Sequence, residues 1–164
     1  MTLIAIVKTH NYLINLDWTG NLGQGTQSYK AYNRNHEILT EGKTHKIAGS
    51  ADPSFLGDNT RYNPEELFVS SLAACHMLWY LHLCSANGII VTNYRDAATG
   101  IMEENKDGSG RFKSVTLRPE VTITDPEKVE LAKSLHTEAN KKCFIANSCN
   151  FEVRHEGVVR VERS

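Results

Sequence analysis

Four cysteines, Cys75, Cys84, Cys143 and Cys149, are the side chains of this 164-residue chain best equipped for covalent chemistry. A thiol acts as its thiolate, which attacks disulfides and peroxides and can pass through a sulfenic acid to a disulfide. Cys75 stands in the segment LAACHMLWY, and apolar surroundings raise a thiol pKa and suppress the thiolate. Left alone, such a cysteine is a small core hydrophobe. A reactive Cys75 needs a cation, and no Lys or Arg lies between Leu67 and Tyr94. The activator must come from another part of the fold or from another chain.

The other cysteines divide by context. Cys84 follows Cys75 by nine residues and reads as a core thiol. Cys149 lies close to Cys143 in sequence and is an alternative partner for a redox pair. No CxxC pair occurs. His76 and His82 stand beside Cys75 and Cys84, which raises a metal reading. On a helix, however, Cys75, Trp79 and His82 share one face while His76, Tyr80 and Cys84 share another. These potential ligands diverge, no second cluster completes a tetrahedral set, and no bound metal or cofactor is expected. His76 reads as a packed, hydrogen-bonded core residue. Phe68, Leu72, Met77 and Trp79 read as core, some of them at a pocket mouth, and Phe55 as a cover from a loop.

The elements that must hold these residues are legible from patterning. LIAIVKT, YLINLDW, QSYKAYNR and HEILTE, within residues 1–48, are rich in β-branched and aromatic residues and predict N-terminal strands. A loop dense in Gly, Asp, Asn and Pro follows, with Gly57-Asp58 as a turn. Asn63-Pro64-Glu65-Glu66 then supplies an N-cap, a proline at the first helical position and an acidic first turn. The spacing predicts a central helix over 63–88 that stops at Gly88 and is buried on nearly all sides. A domain of this size can hardly wrap such a helix alone, which points to a tightly packed homodimer. Residues 89–124 predict two long strands around the Asp107-Gly108 turn, with Pro119 marking an edge or a bulge. Residues 125–148 predict a second, amphipathic helix whose inward stripe is Val129, Ala132, Leu135, Ala139 and Cys143. A last strand spans 149–164. The order describes one α+β domain over residues 1–164.

Two segments carry a resemblance. NPEELFVSSLAACH and KKCFIANS are similar to the signature segments of the OsmC/Ohr family of thiol-dependent hydroperoxide reductases. The resemblance runs from about Tyr29 to the C-terminal strand and is nearer the OsmC branch, because Phe144 stands where the Ohr branch has proline. It implies the OsmC-like fold: antiparallel sheets around a long buried central helix, a second helix, and an intertwined homodimer with sites at the interface. It makes Cys75 the peroxidatic thiol and Cys143 the resolving one. Arg34, in YNRNHEI, takes the place of the arginine that activates the thiolate, and Glu65 that of the glutamate that orients it. Arg34 is the only arginine before Arg61.

The implied activity is reduction of organic hydroperoxides, and of hydrogen peroxide, in oxidative stress defence, with an external dithiol or lipoyl-type electron donor. Ten helical residues separate Glu65 from Cys75, about 15 Å of rise and roughly 80° of rotation. One helix therefore does not set its own Glu65 beside its own Cys75. Either the Arg34 side chain bridges the gap or the two residues come from different subunits. The alternative reading is a non-enzymatic dimeric ligand-binding or stress protein on the same scaffold.

Composition excludes other classes. Lys and Arg number 18 against 19 Asp and Glu, a net charge of −1. No basic surplus exists to neutralise phosphates, so nucleic acid is not an expected partner. The stretch Leu67–Tyr94 is long enough to span a bilayer, but it holds two histidines, three serines, two asparagines and a glycine, and reads as a core helix rather than a span. The N-terminus has no basic leader and no cleavage motif, so a cytoplasmic location is expected. There the four thiols stay reduced rather than forming a structural disulfide framework. No phosphate-binding loop, dinucleotide fingerprint or serine triad is present.

Overall fold

The computed structural model describes residues 8–163. The chain divides between Pro64 and Glu65 into two compact units.

The first unit holds a small antiparallel sheet of three strands in the order β1-β2-β3: β1 Asn15–Trp18, β2 His36–Leu39 and β3 Ile47–Gly49. Trp18 stands opposite His36, and His36 opposite Gly49. The strand expected over LIAIVKT lies largely outside the described residues. QSYKAYNR, expected as a strand, is a run of turns with one isolated bridge from Tyr32 to Asn21. The cause is local: Tyr29 and Tyr32 fold around Arg34, whose guanidinium lies 4.1 Å and 4.4 Å from their ring centroids. An extended strand would carry the two rings along it and away from one cation. Downstream, Asp52 caps a 3-10 turn at Pro53–Phe55, and the Asp58 carboxylate accepts from the Thr60 amide and hydroxyl.

The second unit is built on α1, Pro64–Ala86, with Pro64 at its start and Glu65 and Glu66 in its first turn. The helix ends where Gly88 takes φ +64°, and the Ile89 amide donates back to the Cys84 carbonyl at 2.9 Å. A residue without a Cβ adopts that backbone at no steric cost. Leu72, His76, Tyr80 and Cys84, one helical turn apart, form the fully buried stripe of α1. On the other side Leu78 is 63% exposed. A single chain thus fully buries one face of this helix, in keeping with a domain too small to wrap it alone.

Four strands follow where two long ones were expected: β4 Val91–Asp96, β5 Thr99–Glu104, β6 Gly110–Leu117 and β7 Pro119–Ile123. β5 and β6 form the expected hairpin, with Gly108 at φ +82° and the Asp107 carboxylate accepting from Ser109. Pro119 interrupts the long second strand, since it has no amide to continue the ladder, and the halves join different sheets. One sheet has the order β4-β7-β9 and the other β5-β6-β8, where β8 is Glu152–His155 and β9 is Val158–Val161. β8 and β9 run parallel to β6 and β7, so these sheets are mixed rather than purely antiparallel. Parallel neighbours need a long crossover, and the helical segment between β7 and β8 provides it.

That segment is a 3-10 turn at Pro126–Lys128, capped by Asp125, then α2 Val129–Lys142 and the short α3 Phe144–Asn147. α2 buries Ala132, Leu135, His136 and Ala139. Ala132, Leu135 and Ala139 pack with Tyr80, Cys84, Val121 and Ile123 in one core cluster. A second cluster joins Leu72 to Val115 and Leu117 under Phe68, Phe112 and Phe151.

Candidate active site

Cys75 occupies the middle of α1, on the side flanking the buried stripe, and is partly exposed. Its neighbours at helical spacing, Leu78, Trp79 and His82, form with it and with Phe144 a cavity of about 360 Å³. Residues three, four and seven apart share a helix face, which places three of these walls beside the thiol. Trp79 is the hub: its ring meets His82 edge-on at 5.8 Å and Phe144 edge-on at 5.7 Å. The Lys142 ammonium stands 5.7 Å from the centre of the same ring. The cavity is therefore apolar around the sulfur, with His82 as its polar wall.

Cys143 is 1% exposed. It does not continue α2 as its stripe suggests. The helix stops at Lys142, and Cys143 turns to φ −68°, ψ 110°, capping α2 and starting α3. Its sulfur accepts from the Ala146 amide at 3.4 Å. That corner directs the thiol at α1, close enough to the Cys75 side chain for the two thiols to influence each other's ionisation. Burial, and then the neighbouring Cys75, push the Cys143 thiol above the usual range. Two reduced thiols held near each other, one partly open to a cavity and one sealed, can exchange two electrons by forming a single S–S bond.

Four further candidates remain. Arg34 belongs to the first unit, where its Nη1 donates to the Tyr32 carbonyl at 2.6 Å and its Nη2 to the Tyr29 carbonyl at 2.7 Å. These bonds and the two tyrosine rings orient the guanidinium. Glu65 is half-buried in the first turn of α1. Cys84 is buried in the core beside Tyr80, its thiol pushed up by burial. Cys149 donates to the Ile145 carbonyl at 3.3 Å and packs in the second core cluster. Neither cysteine lines the Cys75 cavity. Among the described residues, no three His, Cys, Asp or Glu side chains converge as a metal site.

Two residues of this region went unread in the sequence. Phe144 walls the cavity because Cys143 breaks the helix, a break that a continuous stripe hides. His136 is 2% exposed and belongs to the inward face of α2. The steps 129, 132, 136, 139, 143 run in threes and fours through it just as 129, 132, 135, 139, 143 run through Leu135, so the signal was present in the periodicity.

Comparison with known proteins places these features in a family. The model of the OsmC-like protein family matches residues 57–156, well over half of the chain. The fold matches the structure of an OsmC-like protein of unknown function from Vibrio cholerae with a TM-score of 0.82 and 30% identity, covering 92% of this chain and 100% of that one. It also matches an organic hydroperoxide resistance protein from Elizabethkingia anophelis, with a TM-score of 0.65 and 17% identity over 94% of this chain and 100% of the other. A further match is an organic hydroperoxide resistance protein from Legionella pneumophila, with a TM-score of 0.62 and 19% identity over 92% and 98% of the two chains. The last two likenesses show a shared fold. No curated protein matches the sequence.

Proposed function

The chain belongs to the OsmC-like protein family, and from that membership and its thiol pair we propose that it is a cysteine-based peroxidase acting on organic hydroperoxides in oxidative stress defence in the cytoplasm. The observation that carries the reading is the nearness of the sealed Cys143 thiol to Cys75, which lines an apolar cavity. The family fold is shared with proteins named for organic hydroperoxide resistance, which fits the reading.

In the proposed cycle, the Cys75 thiolate attacks the outer oxygen of ROOH. The O–O bond breaks, Cys75 becomes a sulfenic acid, and the alkoxide takes a proton to leave as ROH. The Cys143 thiol, giving up its proton, then attacks the sulfenic sulfur. A disulfide forms and water leaves. An external dithiol or lipoyl-type donor returns both residues to thiols by exchange. Arg34 supplies the positive charge that favours the Cys75 thiolate and the developing charge on oxygen, and Glu65 holds Arg34 by a bidentate ion pair. A homodimer completes the site. Its seat is the face of α1 that carries the exposed Leu78 and that one chain leaves uncovered.

The walls Leu78, Trp79 and Phe144 favour a hydroperoxide with an apolar substituent over hydrogen peroxide. The same walls support a second reading, an apolar-ligand carrier without catalysis. Steady-state consumption of cumene hydroperoxide and hydrogen peroxide with a dithiol donor separates the two. Wild-type protein is expected to turn over, faster with the organic peroxide, and Cys75→Ser to be inactive. Equal consumption by Cys75→Ser would remove Cys75 from the reaction and overturn this peroxidase, and no turnover by wild type would leave the carrier.

A further inference from the structure

Next to the thiol pair lies a group of buried polar rings that the proposed peroxide chemistry does not use. His76, the residue after Cys75, is 0% exposed, and His136 on α2 is 2% exposed. His76 Nε2 and His136 Nδ1 lie 3.1 Å apart. Their rings are parallel to within 2° with centroids 5.4 Å apart. That separation is too long for face-to-face contact and fits an in-plane N–H···N bond. Tyr80 covers His136 face to face at 4.0 Å. His155 of β8 stands beside both, 5.7 Å from His76 and 6.2 Å from His136. The chain passes His136 at Gly157, where a Cβ would stand 2.7 Å from the ring.

The bond leaves His76 Nδ1 and His136 Nε2 buried without a protein partner. In either tautomer one of these is an N–H and the other a lone pair, and leaving both unmatched in a core is costly. Two apolar residues of similar size would fill the space without that cost. The imidazoles must therefore do something that packing does not. Burial, and then the neighbouring histidines, hold both rings well below the ordinary histidine range, so each is neutral and the bond has the donor and the acceptor it needs.

Position indicates what they do. The backbones of α1 and α2 barely approach within 8 Å of each other, so long side chains set their register. His76 adjoins Cys75 on α1, and His136 stands about two turns before the corner at Cys143 where α2 ends. A slip of one residue moves a helix by about 1.5 Å, whereas a disulfide tolerates Cβ separations only within about 3.5–4.5 Å.

We infer that the His76–His136 hydrogen bond is a clamp that sets α1 against α2 in the register at which Cys75 and Cys143 can close a disulfide, which makes both histidines positioning residues for that step. The inference rests on the reading of Cys75 and Cys143 as a redox pair. It is tested without peroxide, by equilibrating the full chain in dithiothreitol redox buffers. Oxidised dithiothreitol takes two electrons and two protons from the Cys75 and Cys143 thiols, and the effective concentration of the pair is read from the disulfide fraction.

His136→Phe keeps a ring under Tyr80 and removes the bond. Its effective concentration is expected to fall about tenfold, a rise of about 30 mV in potential. His136→Gln, with a neutral donor and acceptor, is expected to return to within about threefold of wild type. Val121→Ala loses packing in the same core but not the bond, and is expected to match wild type. Should His136→Phe fail to fold, Gly157→Ala, which presses on the His136 ring, takes its place with the same expected fall. An unchanged effective concentration in these His136 and Gly157 variants overturns the clamp, as does an equal fall in Val121→Ala. If wild type pairs its thiols readily but consumes no peroxide, the proposed activity fails while the clamp is still decided by these variants.

Discussion

In the proposed cycle Cys75 and Cys143 perform different parts of one task, and their surroundings differ accordingly. Cys75 opens on a cavity that a hydroperoxide can reach, whereas Cys143 is sealed and its thiol is pushed up by burial and by Cys75 itself. A thiol held above its usual range contributes a thiolate fraction that grows as pH rises toward its pKa. Disulfide closure after the sulfenic acid forms is therefore expected to accelerate by up to about tenfold per pH unit between pH 6 and pH 8. Stopped-flow tryptophan fluorescence is suited to follow it, because Trp79 lines the site. Cys143→Ser should complete a single turnover and stop at the sulfenic acid, trapped by a dione reagent and read by mass. Replacing Arg34 with Ala should slow the peroxide step by about 100-fold, the scale of losing a preorganised charge-stabilising donor, and leave disulfide closure from a preformed sulfenic acid intact. The two cysteines stood out in the sequence through their segments. The inward turn of Cys143 did not, because a helix break inside an unbroken stripe leaves no mark on periodicity.

At the scale of elements, α1 and the β5–β6 hairpin were legible because local chemistry decides them. Proline and two glutamates open the helix, Gly88 closes it, and Asp107-Gly108 forms the turn. QSYKAYNR was misread because its aromatic content serves Arg34 rather than a strand. The splitting of residues 89–124 into four strands depends on which sheet each half joins, and that is a tertiary choice. The histidine group between α1 and α2 makes its own prediction for stability. Above pH 6.5 both histidines are neutral whether the chain is folded or not, and they add no pH dependence. Below it the unfolded chain takes up protons first, because burial lowers His76 to about 4 and His136 to about 3 in the fold. Stability is thus expected to be full above pH 6.5 and to be lost as pH falls toward 4 and 3. Between pH 7 and pH 5 the loss is about 2 kcal/mol for each histidine. Urea unfolding at the two pH values checks this, and His136→Phe should remove its share. Asp52 and Asp58, whose carboxyls are held low by hydrogen bonds to Ser54 and Thr60, titrate below that window.

The whole molecule raises the matter of what covers α1. Its fully buried stripe is one residue wide, and Leu78 and Phe144 at the cavity are 63% and 67% exposed. Composition alone signalled this, since a helix without charge beyond its first turn, in a chain of this size, asks for more cover than one copy supplies. The proposed homodimer predicts twice the chain mass by light scattering at micromolar concentration. Leu78→Asp should shift that mass toward a single chain and lower activity with it, because a buried unpaired carboxylate is costly. The family fold was legible from two short segments, while pairing between subunits is not written in any one of them.

The most direct measurement is a single-turnover mass map. Reduced protein is mixed with one equivalent of cumene hydroperoxide, and the product is digested without reductant. The account predicts cumyl alcohol in equal amount, a protein lighter by two hydrogens, and a peptide joining Cys75 to Cys143. Peroxide consumed with both cysteines still reduced, or a disulfide that omits Cys75, would contradict it.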